Sequence, residues 1–170
     1  MAWPFTFETE RLRAERLRAD HWPELRRMHT DARVAKHIGG VFTEEQSTAY
    51  LARNLAHWDT HRHGLWIVYE RDGAEPIGRA LLRRLRLADV DEVETGYAFY
   101  EPHWGRGYAT EVTRACLSLG FEQLNLPSIV AVTTPDNAAS QHVLQKCGFR
   151  LDRHFNREGK TLALFRVDAP

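Results

Sequence analysis

Cysteine is scarce in this sequence, with only Cys116 and Cys147 present. Each stands inside a helix-like pattern, which suits buried, reduced thiols in a cytoplasmic setting and excludes a disulfide-framed fold. An excess of one charge is also lacking. With 23 basic and 23 acidic residues, the chain has no overall field to draw a nucleic acid or a membrane surface, and neither partner is expected. The arginines of RLRAERLR and LLRRLRL alternate with apolar residues at strand spacing and read as solvated strand faces rather than a polyanion site. No apolar run approaches the ~18 residues of a membrane span, and MAWPFTFETERL has no basic segment leading into an apolar one, so a soluble, unprocessed protein is expected. No repeat, low-complexity tract or Pro/Gly/Ser linker divides the chain, which implies one domain over residues 1–170.

What is present is an ordered succession of periodic segments. RLRAERL reads as a strand, and DHWPELRRMH as a short helix with Asp20 as its cap and Pro23 in its first turn. After a break at Gly39 and Gly40, TEEQSTAYLARNLAHW forms a longer helix. Thr43 and Gln46 give it a capping box, and Tyr50, Leu51, Leu55 and Trp58 form its apolar stripe. LWIVYER and IGRALLRRLRL make a hairpin about DGAEP, and DEVETGYAFY is the next strand. A helix then runs to about Gln123, with Ala109, Val112, Ala115, Cys116 and Leu119 at helical spacing. SIVAVTT is a buried strand, NAASQHVLQKC a helix, and FRLDRHF and TLALFRV are closing strands about NREGK. The order β, α, α, β, β, β, α, β, α, β, β implies a mixed α+β or α/β fold with helices covering a sheet.

Between strand and helix lies EPHWGRGYATEV. Gly105 and Gly107 lack Cβ atoms, so the backbone can approach an anion at the positive end of the following helix. Spacing alone leaves the anion open. GRGYAT places Thr110 where a dinucleotide fingerprint wants a third small residue, with Asp136 as a ribose-binding acid, but a hairpin and two helices precede this strand. GKT at Gly159 to Thr161 is no P-loop, because His154 stands where that loop needs glycine. His57, His61 and His63 cluster without a matching Cys, Asp or Glu pattern, so no metal is expected. Trp3, Trp22, Trp58 and Trp66 read as core or rim aromatics.

EVETGYAFYEPHWGRGYATEV followed by NAASQHVLQKCGF resembles the GNAT superfamily of acyl-CoA-dependent N-acetyltransferases. TERLRAERL and the tryptophan at 104 are similar to the branch of the ribosomal-protein N-terminal acetyltransferases. The resemblance implies a single GNAT-type domain, its mixed, mostly antiparallel sheet flanked by helices, using acetyl-CoA as cosubstrate and no metal. It implies that Trp104, Gly105, Arg106, Gly107, Tyr108, Ala109 and Thr110 hold the coenzyme's pyrophosphate. Main-chain groups around Ala98, Phe99 and Tyr100 would hold the pantetheine arm, and Asn137 would contact its amides as well as cap a helix. Alternation along EVETGYAFY sends Val93, Thr95, Tyr97 and Phe99 to one face, and Glu94, Gly96, Ala98 and Tyr100 to the other. Glu94 thus shares its face with two small residues and matches the family's general base. Leu144 stands where many relatives carry an acidic tyrosine, and the resemblance gives Ser140 an assisting role instead. Glu111 reads as a helix-dipole or capping residue and Cys147 as packing. The acceptor cleft would lie between VAKHIGGVF and HFNREGKT, which lack dense acidic lining. This favours a protein or peptide N-terminal amine over a small-molecule amine. A non-catalytic coenzyme A-binding module is the alternative of another class, and the resemblance leaves room for a homodimer.

Overall fold

A computed structural model describes residues 6–170; Trp3 lies outside them. One eight-stranded sheet, in the order β1-β2-β3-β4-β5-β6-β8-β7, organises the fold. Its strands are β1 (Thr6–Glu8), β2 (Leu12–Arg16), β3 (Leu65–Glu70), β4 (Pro76–Leu87), β5 (Val90–Phe99), β6 (Ser128–Thr133), β7 (Arg150–Arg157) and β8 (Lys160–Asp168). Every neighbouring pair is antiparallel except β5 with β6. The helices are α1 (Trp22–Thr30), α2 (Ala32–Ala35), α3 (Glu44–His61), α4 (Tyr108–Ser118) and α5 (Ala138–Lys146). The mixed, mostly antiparallel sheet with flanking helices agrees with the expectation.

Local chemistry explains most boundaries. Thr43 Oγ1 accepts from the Gln46 amide at 3.2 Å, and Gln46 Oε1 accepts from the Thr43 amide at 2.8 Å, so the capping box starts α3 as its sequence implies. Two short elements escape periodicity: β1, and the four-residue α2, whose Asp31 caps the amides of Arg33 and Val34. Asp20 does not cap α1. A 3₁₀ turn over Ala19–His21 delays the helix, His21 takes the cap position, and Asp20 pairs with Arg18 at 3.1 Å. After Ser118 the fourth helix passes into a π-helical turn, Leu119–Gln123.

The core lies on both sides of β3–β5. Trp58 and Trp66 are fully buried and meet edge to face, with centroids 5.3 Å apart at 87°. The ladder between β4 and β5 runs without register shift from Gly78↔Phe99 to Leu87↔Val90, so the alternation read along β5 is kept. Tyr97 and Phe99 face α4 and α5, their rings or hydroxyls meeting Ser140 and Tyr108. Ala98 and Tyr100 face the opposite way, packing with Met28 of α1 and Val34 of α2.

Candidate active site

The sheet opens where its one parallel pair occurs. β5 and β6 share the single register pair Glu94↔Val130, whereas β6 stays fully paired with β8. Ladder parity identifies what the opening leaves free. Tyr100 donates its amide to Ile77, so the even-numbered residues of β5 bond to β4, and the amides and carbonyls of Tyr97 and Phe99 point toward the diverged β6. The main-chain groups of Ala98 and the Tyr100 amide, expected to serve here, are spent on β4, and the Tyr100 carbonyl accepts from the His103 amide at 2.9 Å. The Phe99 carbonyl accepts the Trp104 indole N–H at 2.6 Å, and Trp104 is 44% exposed.

A cleft of about 460 Å³ fills this opening. Thr95, Tyr97, Phe99, Thr113 and Ser140 line it from the α4/α5 side, and Val34, His37, Gly96 and Ala98 from the other, so it passes through the plane of the sheet. Its volume falls in the range of small-molecule sites, ~300–1,000 Å³. Trp104, Gly105, Gly107, Tyr108, Ala109, Thr110 and Asn137 also border it, while Glu94, Tyr100 and Arg106 stand outside.

The glycine loop forms one rim. Gly105 and Gly107 have φ of +70° and +82°, the left-handed region that disfavours side chains. Gly107 caps α4 without a side-chain acceptor, and the first intrahelical bond is Glu111 N–H to Gly107 C=O, which leaves the amides of Tyr108, Ala109 and Thr110 to serve an anion. A Cβ on Gly105 would meet no protein atom within 4 Å, so the space there is open to a ligand. These features fit a pyrophosphate. Tyr108 turns its ring into the protein, donating its hydroxyl to Glu70 at 2.7 Å, and Arg106 also pairs with Glu70, at 3.1 Å. Glu111 ties α4 to the β1–β2 turn through Arg11 at 2.7 Å and Thr9 at 2.5 Å. Burial alone would raise its carboxyl, but the hydrogen bonds from Thr9 and Arg11 and the Arg11 charge hold it below its ordinary range.

Helix α5 forms the other wall. Asn137 Oδ1 caps it by accepting from the Ser140 amide at 3.1 Å, and Asn137 Nδ2 lies 3.2 Å from His37 Nδ1, bridging the cleft mouth. Ser140 Oγ is 3.5 Å from the Tyr97 hydroxyl, which burial holds protonated above its ordinary range. Leu144 is 3% exposed. Tyr97 and Thr113 escaped the sequence reading; Thr113 lies one turn beyond Ala109, a spacing that could have marked it.

Glu94 sits one same-face step, about 7 Å, behind Gly96. Its carboxylate accepts from Arg83 Nε at 3.3 Å, directly across the ladder, with side-chain exposures of 29% for Arg83 and 15% for Glu94. Arg83 is therefore no solvated strand residue. Arg79, 6% exposed, donates to the Tyr50 hydroxyl at 2.8 Å. Alternation alone made Arg83 look like part of a surface stripe, since it cannot show that Tyr50 of α3 lies over it.

The histidine cluster is structural. His57 Nδ1 meets the His63 carbonyl at 2.8 Å and its Nε2 accepts the Arg84 amide at 2.9 Å, so both nitrogens are committed. Among the described residues no group of three His, Cys, Asp or Glu side chains is placed to hold a metal. Cys116 and Cys147 are free thiols; burial pushes Cys116 up to about 12 and raises Cys147 as well. Glu158 and Gly159, with φ of +51° and +77°, form the β7–β8 hairpin turn, and the GKT stretch runs from this turn into β8. No helix among the described residues is long and apolar enough to cross a membrane.

Comparison with known proteins follows this geometry. The family described as "Acetyltransferase (GNAT) domain" matches residues 11–150. The uncharacterized N-acetyltransferase YnaD of Bacillus subtilis is 29% identical over 150 residues, 88% of this chain and 85% of that protein. An acetyltransferase from Agrobacterium tumefaciens superposes with a TM-score of 0.84 at 30% identity, over 95% of this chain and 93% of the other. Two more distant structures share the fold. RimL, a ribosomal alpha-N-protein acetyltransferase in complex with coenzyme A, gives a TM-score of 0.76 at 14% identity, covering 98% and 97%. A spermidine N-acetyltransferase from Vibrio cholerae in complex with CoA and spermine gives 0.75 at 15%, covering 94% and 96%.

Proposed function

This chain belongs to the acetyltransferase (GNAT) domain family and is an N-acetyltransferase of that kind; from that premise we propose that its acceptor is a protein or peptide N-terminal α-amine. The observation that carries the reading is the cleft through the sheet, with an anion-binding helix start on one side and the Glu94 face on the other. Acetyl-CoA supplies a thioester electrophile, and the chain's residues supply the rest. The amides of Gly107, Tyr108, Ala109 and Thr110 hold the pyrophosphate, with Gly105 allowing the approach. The open β5 edge at Tyr97 and Phe99 pairs with the pantetheine arm in the manner of an added strand, and one of its amides polarises the thioester carbonyl.

An alkylammonium with a pKa near ~10 must lose a proton before it can attack. Glu94 accepts it, directly or through one water across the gap to Gly96. Arg83 keeps that carboxylate oriented, and it also makes Glu94 part of an ion pair, the arrangement a purely structural residue would show. The departing thiolate has no tyrosine at position 144; Ser140, hydrogen-bonded to Tyr97, assists it. Leu144 and the paired Glu94 are what favour the second reading, a coenzyme A-binding module without turnover.

Thiol release from acetyl-CoA, followed across peptides with free N-termini, polyamines, aminoglycosides and amino acids, tests the assignment. Release stimulated by peptides and reduced in Glu94→Gln is the expected result. Stimulation by small amines alone would move the acceptor class, and binding of coenzyme A without release from any amine would favour the binding module.

A further inference from the structure

Three guanidinium groups surround the ring of Tyr50 on the acceptor side of the sheet. The carbons at the centres of Arg53, Arg79 and Arg83 lie 5.9, 5.6 and 5.9 Å from its centroid. Among the described residues, Glu94 is the one carboxylate paired with any of them. Arg79 is 6% exposed, spends one nitrogen on the Tyr50 hydroxyl, and leaves Nε buried without a partner. Arg53, exposed on α3, makes no ion pair among the described residues. Nearby His29 adds no further positive charge, because burial and the charges of Arg79 and Arg26 hold it neutral, with a pKa lowered to about 4.

A chain with 23 basic and 23 acidic residues thus concentrates two uncompensated positive charges, Arg53 and Arg79, around Tyr50, where they join Arg83, which pairs with its proposed base. Burying a guanidinium without a counterion is unfavourable, and low local dielectric strengthens its attraction for any anion that arrives. An acceptor consisting of amine alone would meet repulsion from this group as its ammonium approached Glu94. An acceptor with a carboxylate a few bonds from its amine would match it: nitrogen toward Glu94 and Gly96, carboxylate toward Arg53.

We infer that the acceptor is a primary amine carrying a nearby carboxylate, which Arg53 binds within the field of Arg79 and Arg83 while the amine faces Glu94. This rests on the acetyl-transfer reading above. The carboxylate could come from an acidic residue at the start of a peptide or from a free amino acid, and matched pairs separate the two sources.

The test compares kcat/KM for peptides beginning with Asp or Glu against the same peptides beginning with Asn or Gln, and for free amino acids against their carboxamides. A charge-assisted contact is worth about tenfold or more, so the acidic member of the preferred pair should lead by that factor. Its lead should shrink in Arg53→Gln, an exposed position, and at ~1 M salt, where screening reaches ~3 Å. Equal or faster acetylation of the neutral members would overturn the inference. Calorimetry of N-acetylated amino acids against their amides reads the anion site without turnover. Tighter binding of the carboxylates, lost in Arg53→Gln, supports the site even if no amine is acetylated, and that pattern would fault the transfer reading alone. Equal binding overturns the site.

Discussion

Replacing Gly105 by alanine separates conformational strain from ligand exclusion, because Gly159 offers a matched control. The two have φ of +70° and +77°, and a Cβ built on either meets nothing within 4 Å. Alanine in the left-handed region costs about 1 kcal/mol at each, which for a chain of this length lowers Tm by ~2–4 °C. The stability effects should therefore match. Coenzyme affinity should not. In Gly105→Ala the methyl group occupies the side of the loop through which phosphate oxygens would reach the backbone, and losing a hydrogen bond to a charged group costs ~1.5–3 kcal/mol, or ~10–100-fold in Kd. Gly159→Ala, in the distant β7–β8 turn, leaves that Kd unchanged. Titration calorimetry with coenzyme A, beside thermal melts of both variants, makes the comparison. If both melt alike and Gly105→Ala still binds coenzyme A as the wild type does, the loop does not bring its backbone to the pyrophosphate and the assignment falls.

Glu94→Gln should lower kcat by ~10²–10³ while coenzyme A affinity stays within twofold, as expected for loss of a proton acceptor; unchanged kcat would return Glu94 to a structural role. Buried His29, with its folded pKa lowered from 6.5 to about 4, binds its proton less readily than in the unfolded chain. Folding stability should accordingly rise with pH between about 4 and 6.5, by up to about 3 kcal/mol from this residue. Denaturant melts across that window check the slope, which His29→Gln should reduce. Ala88, at φ +45° beside Asp89 at +67°, turns β4 into β5 without a glycine. Ala88→Gly should raise stability by about 0.5–1 kcal/mol, and a neutral or negative change in a chemical melt would show that the turn is not strained. Amide exchange should be fast at Tyr97 and Phe99 and slow at Ala98 and Tyr100 in the free protein; coenzyme A should slow the first pair specifically. Protection of Tyr97 and Phe99 before coenzyme is added would contradict the open-edge assignment.

The residues that were legible from sequence carry their information locally. Thr43 and Gln46 name a helix start by themselves, Gly105 and Gly107 announce a backbone conformation, and the alternation through EVETGYAFY sorts two faces without reference to the rest of the chain. What was hidden depends on partners distant in sequence. Arg83 reads as surface until α3 brings Tyr50 over it, and Tyr97 is only one member of a strand face until Ser140 arrives from 43 residues away. The role of the His57 cluster was hidden in the same way. Its i, i+4 spacing suggests metal, yet the carbonyl of His63 and the amide of Arg84 had already claimed both nitrogens of His57. Short elements fail for a simpler reason: α2 has four residues, too few for any period to repeat, and its sole local signal was the cap at Asp31.

The opening between β5 and β6 ties these observations together. Within the sheet, β5 gives up its β6 edge after Glu94 and keeps its β4 edge intact. Unpaired strand groups are unfavourable unless something bonds them, and Trp104 meets that need at just one carbonyl, that of Phe99. The remaining groups at Tyr97 and Phe99 point into a cleft whose far end is a helix start with free amides. A ligand with amide groups at one end and phosphates at the other would satisfy both at once, and its reactive end would emerge beside Gly96 on the Glu94 face. Such a ligand would couple its binding to exposure of its acyl group toward a single side of the sheet. That side is also the one where the Tyr50 arginines would select which amine approaches.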